Sequence, residues 1–263
     1  MKLSISNIAW EASQDRKMYA LMKENGFEGL EIAPTRIFPD APYENIEQAR
    51  VWAKSLKDEY GFSVPSMQSI WFGRTEKIFG TEQERGILLE YTKKAIDFAE
   101  AVECRNLVFG CPRNRTMPEA ADPMVAVEFF REIGEYAVNK GIVIGMEANP
   151  PIYNTNYIND TRSAFDLIRQ VNSRGFLLNL DVGTMVYNDE DVDELAGSVG
   201  LISHVHISEP GLKPIQTREL HHRLLSLLRA EKYERFVSIE TGKTSSIEAL
   251  QEQMTYLRRM QLA

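Results

Sequence analysis

Glu147, Asp181, His206 and Glu240 are the side chains of this sequence best suited to do chemistry together. Each stands at or near the end of a short apolar run: IVIGMEA (142–148), FLLNLD (176–181), ISHVHIS (202–208) and FVSIET (236–241). One imidazole and three carboxylates make a donor set for a divalent cation. Crowded carboxylates repel one another and take up protons unless a cation compensates them. Mixed oxygen and nitrogen donors suit manganese, magnesium, cobalt or zinc without selecting among them. A single acidic residue at a strand end often does no more than cap the next helix. Four at equivalent places on successive runs form a site only if one architecture gathers the run ends.

The rest of the chain supplies that architecture. Four further runs precede these: Leu3 to Ala9, GLEIAP (29–34), SVPSMQS (63–69) and NLVFGC (106–111). Pro65 weakens the early part of the third. Helical patterns lie between the runs. They open at Ser13, cover 44–60, start at the capping-box sequence Thr81-Glu82-Gln83-Glu84, and start again at Asp122-Pro123. Others are expected at 160–171, 190–198 and 217–230, and a last one from the capping-box sequence at Ser245 to the C-terminus. Eight strands alternating with eight helices imply a parallel sheet, and near-continuous apolar strands suit its closure into a (β/α)8 TIM barrel. An open doubly wound sheet would usually carry a Gly-rich phosphate turn, and none is present. Residues 1–263 are therefore read as a single barrel domain of the α/β class, with the four ligands meeting at the C-terminal rim.

Other residues are expected near that rim. Glu31, ending the second strand, is a substrate-binding candidate or a loop anchor. Asn149 and Glu209, just beyond Glu147 and His206, are further substrate-binding candidates. Arg113 and Arg115, after the fourth strand, are candidates for pairing with a phosphate or carboxylate. Trp10, Trp71 and Phe72 would line a sugar site or simply pack. His204 is expected on the other side of its strand from His206, in a packing or supporting role. At most one of His221 and His222 is expected to face the site.

Composition narrows the class. Hydrophobic residues at 43% and charged residues at 26% describe an ordinary globular protein able to bury a full core. A net charge of −8 argues against a nucleic-acid partner, whose phosphates must be neutralised. Cys104 and Cys111 are not a C-x-x-C pair and suggest no disulfide framework. The N-terminus does not read as a signal peptide, and no run is long enough to span a membrane. A cytoplasmic protein without membrane or nucleic-acid partners is expected. Assembly into a homo-oligomer is left open.

Over essentially its whole length the sequence resembles the xylose-isomerase-like barrel superfamily, the sugar phosphate isomerase/epimerase group that also holds ketose 3-epimerases, inosose dehydratase and endonuclease IV. The resemblance rests on GLEIAP with Glu31, MEANPPIYNTNYINDT with Glu147, NLDVGTM with Asp181, HVHISEP with His206 and Glu209, and VSIETG with Glu240. It implies one divalent metal on Glu147, Asp181, His206 and Glu240. It also implies Glu147 and Glu240 as an acid/base pair moving a proton next to a carbonyl of a sugar or sugar phosphate, through an enediolate. Isomerisation and epimerisation both follow from that chemistry. A dehydratase, or a barrel that only binds sugar, is the alternative. Three departures matter. Thr184 stands where many relatives have a histidine, and Tyr153 and Leu212 stand where ketose 3-epimerases have a substrate-binding acid and arginine. With four histidines in all, the chain also lacks the ligands of an endonuclease IV-like phosphodiesterase.

Overall fold

The computed structural model describes residues 1–262. Seven parallel strands form one sheet: β1 (Lys2–Ser6), β2 (Gly29–Glu31), β3 (Asn106–Phe109), β4 (Val143–Glu147), β5 (Phe176–Asp181), β6 (Ile202–Ile207) and β7 (Phe236–Ile239). Their order is β2-β1-β7-β6-β5-β4-β3. The expected third strand closes the ring between β2 and β3 through isolated bridges, Gly29 with Ser63, Ile32 with Met67 and Met67 with Leu107. Leu30 N donates to Ser63 O (2.9 Å), Gln68 N to Ile32 O (2.8 Å) and Val108 N to Met67 O (2.7 Å). Pro65 offers no N–H, so this stave bonds intermittently where the others form ladders. The barrel is thus seven regular strands and one irregular stave.

Nine α-helices surround it among the described residues: α1 (Asp15–Glu24), α2 (Pro34–Ile37), α3 (Ile46–Tyr60), α4 (Glu82–Ala101), α5 (Met124–Asn139), α6 (Thr161–Val171), α7 (Val182–Asn188), α8 (Glu219–Ala230) and α9 (Ile247–Leu262). The capping box at Thr81 forms as expected: Thr81 Oγ1 accepts from Glu84 N, and Glu84 accepts from Thr81 N. At α9 the cap falls one residue later than expected, on Ser246, whose Oγ accepts from Ala249 N. The helix expected over 190–198 is instead the earlier α7, followed by short 3-10 turns. Asp181 explains the shift, because its Oδ1 accepts from Thr184 N at 2.6 Å and starts a helix directly after β5.

The two faces of the sheet differ sharply in polarity. Residues two apart on a strand share a face, and paired residues on neighbouring strands face the same way. Following the register around the ring puts Ser4, Ser6, Glu31, Glu147, Asn179, Asp181, His204, His206 and Ser238 on one face. Leu3, Ile5, Ile144, Met146, Leu178, Leu180, Val205, Ile207, Val237 and Ile239 take the other face and are buried against the helices. The main hydrophobic core is therefore the layer between sheet and helices, while the barrel axis is polar. The alternation is present in KLSIS and SHVHIS.

Candidate metal centre and active site

Register gathers the four proposed ligands. Asp181 is the Cα partner of His206, and His206 of Ser238; Glu240 N then donates to Ile207 O at 3.0 Å. A register shift between Leu178 and Asn179 makes His204 rather than Ser203 the partner of Asn179. It thereby brings His206, not Val205, opposite Asp181. Ser203, left out of the pairing, uses its Oγ to bond Leu178 O at 2.9 Å. Bulges that re-aim side chains in this way recur next to active sites.

His206 Nδ1 lies 3.0 Å from Glu147 Oε1 and 3.3 Å from Glu240 Oε2. One donor atom from each of Glu147, Asp181, His206 and Glu240 falls within 4.8 Å of all the others. Opposite ligands of an octahedral ion with bonds of about 2.1 Å sit about 4.2 Å apart, so sub-ångström movements would close this set on a cation. The electrostatics agree. Burial, reinforced by the charge of Glu147, raises the pKa of Asp181. Burial also raises that of Glu240, with Glu147 and Asp181 adding to the effect. Burial opposes a charge on His206, yet Glu31 and Glu240 outweigh it and hold its pKa well above the ordinary value. Even with His206 protonated the cluster carries an excess of negative charge, which a divalent ion would neutralise.

A pH dependence follows. Asp181, Glu240 and His206 bind protons more tightly in the folded than in the unfolded chain. Those protons stabilise the metal-free fold at low pH, and that contribution is lost as pH rises through the raised values. A cation replaces the protons and must compete with them. The rise in melting temperature produced by a fixed manganese concentration should therefore grow between about pH 5 and about pH 8, because proton competition weakens. Scanning calorimetry at the two pH values checks this; an equal rise would contradict the assignment.

The three carboxylates differ in how they are held. Asp181 is engaged on both oxygens: Oδ1 accepts from Thr184 N and Oγ1, and Oδ2 from Ser208 Oγ. Glu147 is held by Asn179 Nδ2 at 2.8 Å on Oε1 and Asn149 Nδ2 at 3.0 Å on Oε2. Among the described residues, Glu240 has only His206 within hydrogen-bonding reach of its side chain. Gly110 leaves room for this arrangement, since a Cβ there would lie 2.7 Å from Glu147 Oε2. Asn179 and Ser208 were not foreseen as site residues. Asn179 stands two residues before Asp181, so period two was the signal that could have found it.

Several expected roles are corrected. Glu31 is fully buried beneath His206 and accepts from both His204 and His206, so it does not reach substrate. His204 shares the face of His206, as period two requires. Glu209 is 2% exposed and bonded to Arg218 Nε (2.7 Å), Arg218 Nη2 (2.5 Å) and Gln216 N (3.1 Å); it anchors the following loop. Arg115 is fully buried with all five N–H groups used, by Gly110 O, Tyr157 O, Ile158 O, Glu147 O and Asn149 Oδ1. It braces the loops beside Glu147 and has no donor left for an anion. Arg113 is exposed and does not line the cavity. Trp10 and Trp71 are packing residues bonded to Asp15 and Thr92, and Phe72 is exposed. Neither His221, bonded to Tyr256, nor the exposed His222 faces the site. Of the substrate-binding candidates only Asn149 lines the cavity.

Arg115→Ala should destabilise the fold by at least about 3 kcal/mol, because several buried acceptors lose their partner at about 1–3 kcal/mol each. Urea denaturation measures this, and a loss below about 1 kcal/mol would contradict the bracing role.

The cavity over the ligands has a volume of about 210 Å³. Its other lining residues include Gln68, Ser69, Cys111, Tyr153 and Leu212. Tyr153 Oη accepts from Gly211 N at 2.9 Å, and burial pushes its pKa up to about 12, so it stays neutral. Among the described residues no lysine or arginine lines this cavity. A larger depression of about 430 Å³ opens at the N-terminal end of the barrel, around Lys2, Arg105 and Phe236. The carboxylates lie at the smaller one, on the rim where barrel active sites are built.

The sequence matches the xylose isomerase-like TIM barrel family over residues 19–260. The chain belongs to that family. Solved members of this fold superpose along its whole length. A 3-keto-D-glucoside 4-epimerase from E. coli aligns with TM-score 0.76 and 20% identity, covering 98% of this chain and 99% of its own. A D-psicose 3-epimerase from Clostridium cellulolyticum H10, solved with D-tagatose, gives 0.78 and 16%, covering 100% and 98%. A family 2 AP endonuclease from Brucella melitensis gives 0.75 and 18%, covering 98% and 99%. At these identities the likeness establishes the fold. No curated protein matches the sequence. Within the xylose isomerase-like family, the reading of this chain must come from its own site. No helix among the described residues is long and apolar enough to cross a membrane.

Proposed function

We propose that this chain is a divalent-metal-dependent epimerase or isomerase acting on an uncharged keto sugar. One observation carries the reading: Glu147 from β4 and Glu240, just past β7, flank His206 Nδ1 at 3.0 and 3.3 Å. Their carboxylates thus approach one small volume from strands separated by β5 and β6. The epimerases among the structural relatives are consistent with it.

A divalent ion on Glu147, Asp181, His206 and Glu240 would supply a fixed positive charge that polarises a carbonyl and stabilises negative charge developing on its oxygen. Asp181 and His206 hold position. Asp181 has both oxygens tied to Thr184 and Ser208, so it is poorly placed to carry a proton. Glu147 and Glu240 act on the substrate. One takes the proton from the carbon beside the carbonyl, and the other delivers a proton from the opposite side. Delivery to the same carbon inverts it; delivery to the former carbonyl carbon, with the hydroxyl proton of the first carbon passing to the former carbonyl oxygen, moves the carbonyl. Asn149 steadies Glu147, and the neutral Gln68, Ser69 and Tyr153 are placed to meet hydroxyl groups.

The substrate is uncharged because the cavity offers carboxylates and neutral donors but no cationic side chain. A phosphate there would meet three acids that already balance the cation's charge, with no cationic side chain beside it. The test is incubation of manganese-loaded protein in deuterium oxide with ketoses and with their phosphate esters, followed by mass spectrometry. Deuterium should enter one carbon of a free ketose. Exchange confined to phosphate esters would overturn the charge assignment, and exchange in no sugar would overturn the reaction.

A further inference from the structure

The barrel axis beneath the metal centre holds a hydrogen-bonded column that the proposed chemistry does not use. Glu31 Oε2 lies 2.6 Å from His204 Nε2, and Glu31 Oε1 lies 3.0 Å from His206 Nε2. All three side chains are at most 1% exposed. An ionised carboxylate only accepts, so each imidazole must present its N–H at Nε2. In a neutral His206 this leaves the Nδ1 lone pair bare, and Nδ1 is the atom that faces Glu147 and Glu240. Without a cation the two carboxylates hold a proton on Nδ1; a cation bound there would take that proton's place, while Glu31 keeps the N–H on Nε2. Glu31, His204 and His206 also have donor atoms close enough to hold an ion, but the 2.6 Å between Glu31 Oε2 and His204 Nε2 is a hydrogen-bond distance, shorter than the about 3 Å between neighbouring ligand atoms of one ion with bonds of about 2.1 Å.

We propose that Glu31 and His204 are positioning residues: Glu31 fixes the ring and tautomer of His206 so that Nδ1 meets the cation, and His204 fixes Glu31. The inference rests on the metal-centre reading above. Carboxylates behind metal-bound histidines do this elsewhere, and losing them costs about 10–100-fold in metal affinity.

The test uses ¹⁵N-histidine-labelled full-length protein and zinc. Two-bond ¹H–¹⁵N spectra of the wild type should show His206 protonated at Nε2, with the Nδ1 signal shifting on zinc addition. Calorimetry should show one zinc per chain. Zinc affinity should fall about 10–100-fold in Glu31→Gln and in His204→Phe, while His204→Gln, which keeps an N–H for Glu31, should recover part of it. Circular dichroism checks that each variant is folded; if Glu31→Gln is not, the wild-type spectrum alone decides. Zinc on Nε2, a second zinc lost with His204, or wild-type affinity in a folded Glu31→Gln would overturn the proposal. If the wild type binds no zinc or manganese at all, the metal-centre reading fails and this inference falls with it.

Discussion

Glu147→Gln and Glu240→Gln variants should each still bind a substrate analogue, yet turn over about 10²–10⁴-fold more slowly than the wild type, the usual worth of a positioned acid or base. Glutamine keeps the shape and one oxygen for the cation but cannot carry the proton. The two losses should differ in character. Glu147 is clamped by Asn149 and Asn179 on separate oxygens, whereas the Glu240 carboxylate has, among the described residues, His206 alone as a polar partner. Whichever variant retains exchange while losing turnover marks the face on which the proton returns, because the other carboxylate still removes it. Deuterium incorporation and product formation, measured together on one ketose, separate these steps. Wild-type rates of both in both variants would make the glutamates structural and the mechanism wrong.

The second large effect concerns the cation. His206→Ala and Asp181→Asn should each weaken manganese binding by more than about 100-fold, since even the loss of a residue behind a ligand costs about 10–100-fold. Asparagine is the informative change at Asp181. It retains an oxygen for Thr184 N and so keeps α7 capped. It also removes one of three mutually repelling buried carboxylates. Asp181→Asn should therefore melt no lower than the wild type without metal, but lose most of the metal-induced rise. Calorimetric titration and melting curves with and without manganese check both. A metal-free Asp181→Asn that unfolds several degrees early, with affinity intact, would assign Asp181 to capping alone.

The convergence of the four candidate ligands was legible because barrels gather strand ends at one rim, and four such residues stood at the ends of four successive runs. Glu31, Arg115 and Glu209 were placed correctly along the chain but misjudged in role. Their type announces charge, whereas only the packed structure shows that His204 and His206 consume Glu31 and that loop carbonyls consume Arg115. His204 and Asn179 were within reach of the sequence through period two alone. The register shift that brings His206 opposite Asp181 was not, because a bulge leaves no mark in residue types. The helix expected at 190–198 failed for a local reason: Asp181 both ends a strand and caps a helix, so the helix begins at once.

The most direct test of this account is the anomalous difference map of a manganese-loaded crystal. The account predicts one strong peak at the C-terminal rim, about 2.0–2.4 Å from oxygens of Glu147, Asp181 and Glu240 and from Nδ1 of His206, with Glu31 on the far nitrogen of the same ring. A peak bound through Nε2 of His206 with Glu31 and His204, or no peak within reach of Glu147 and Glu240, would contradict it.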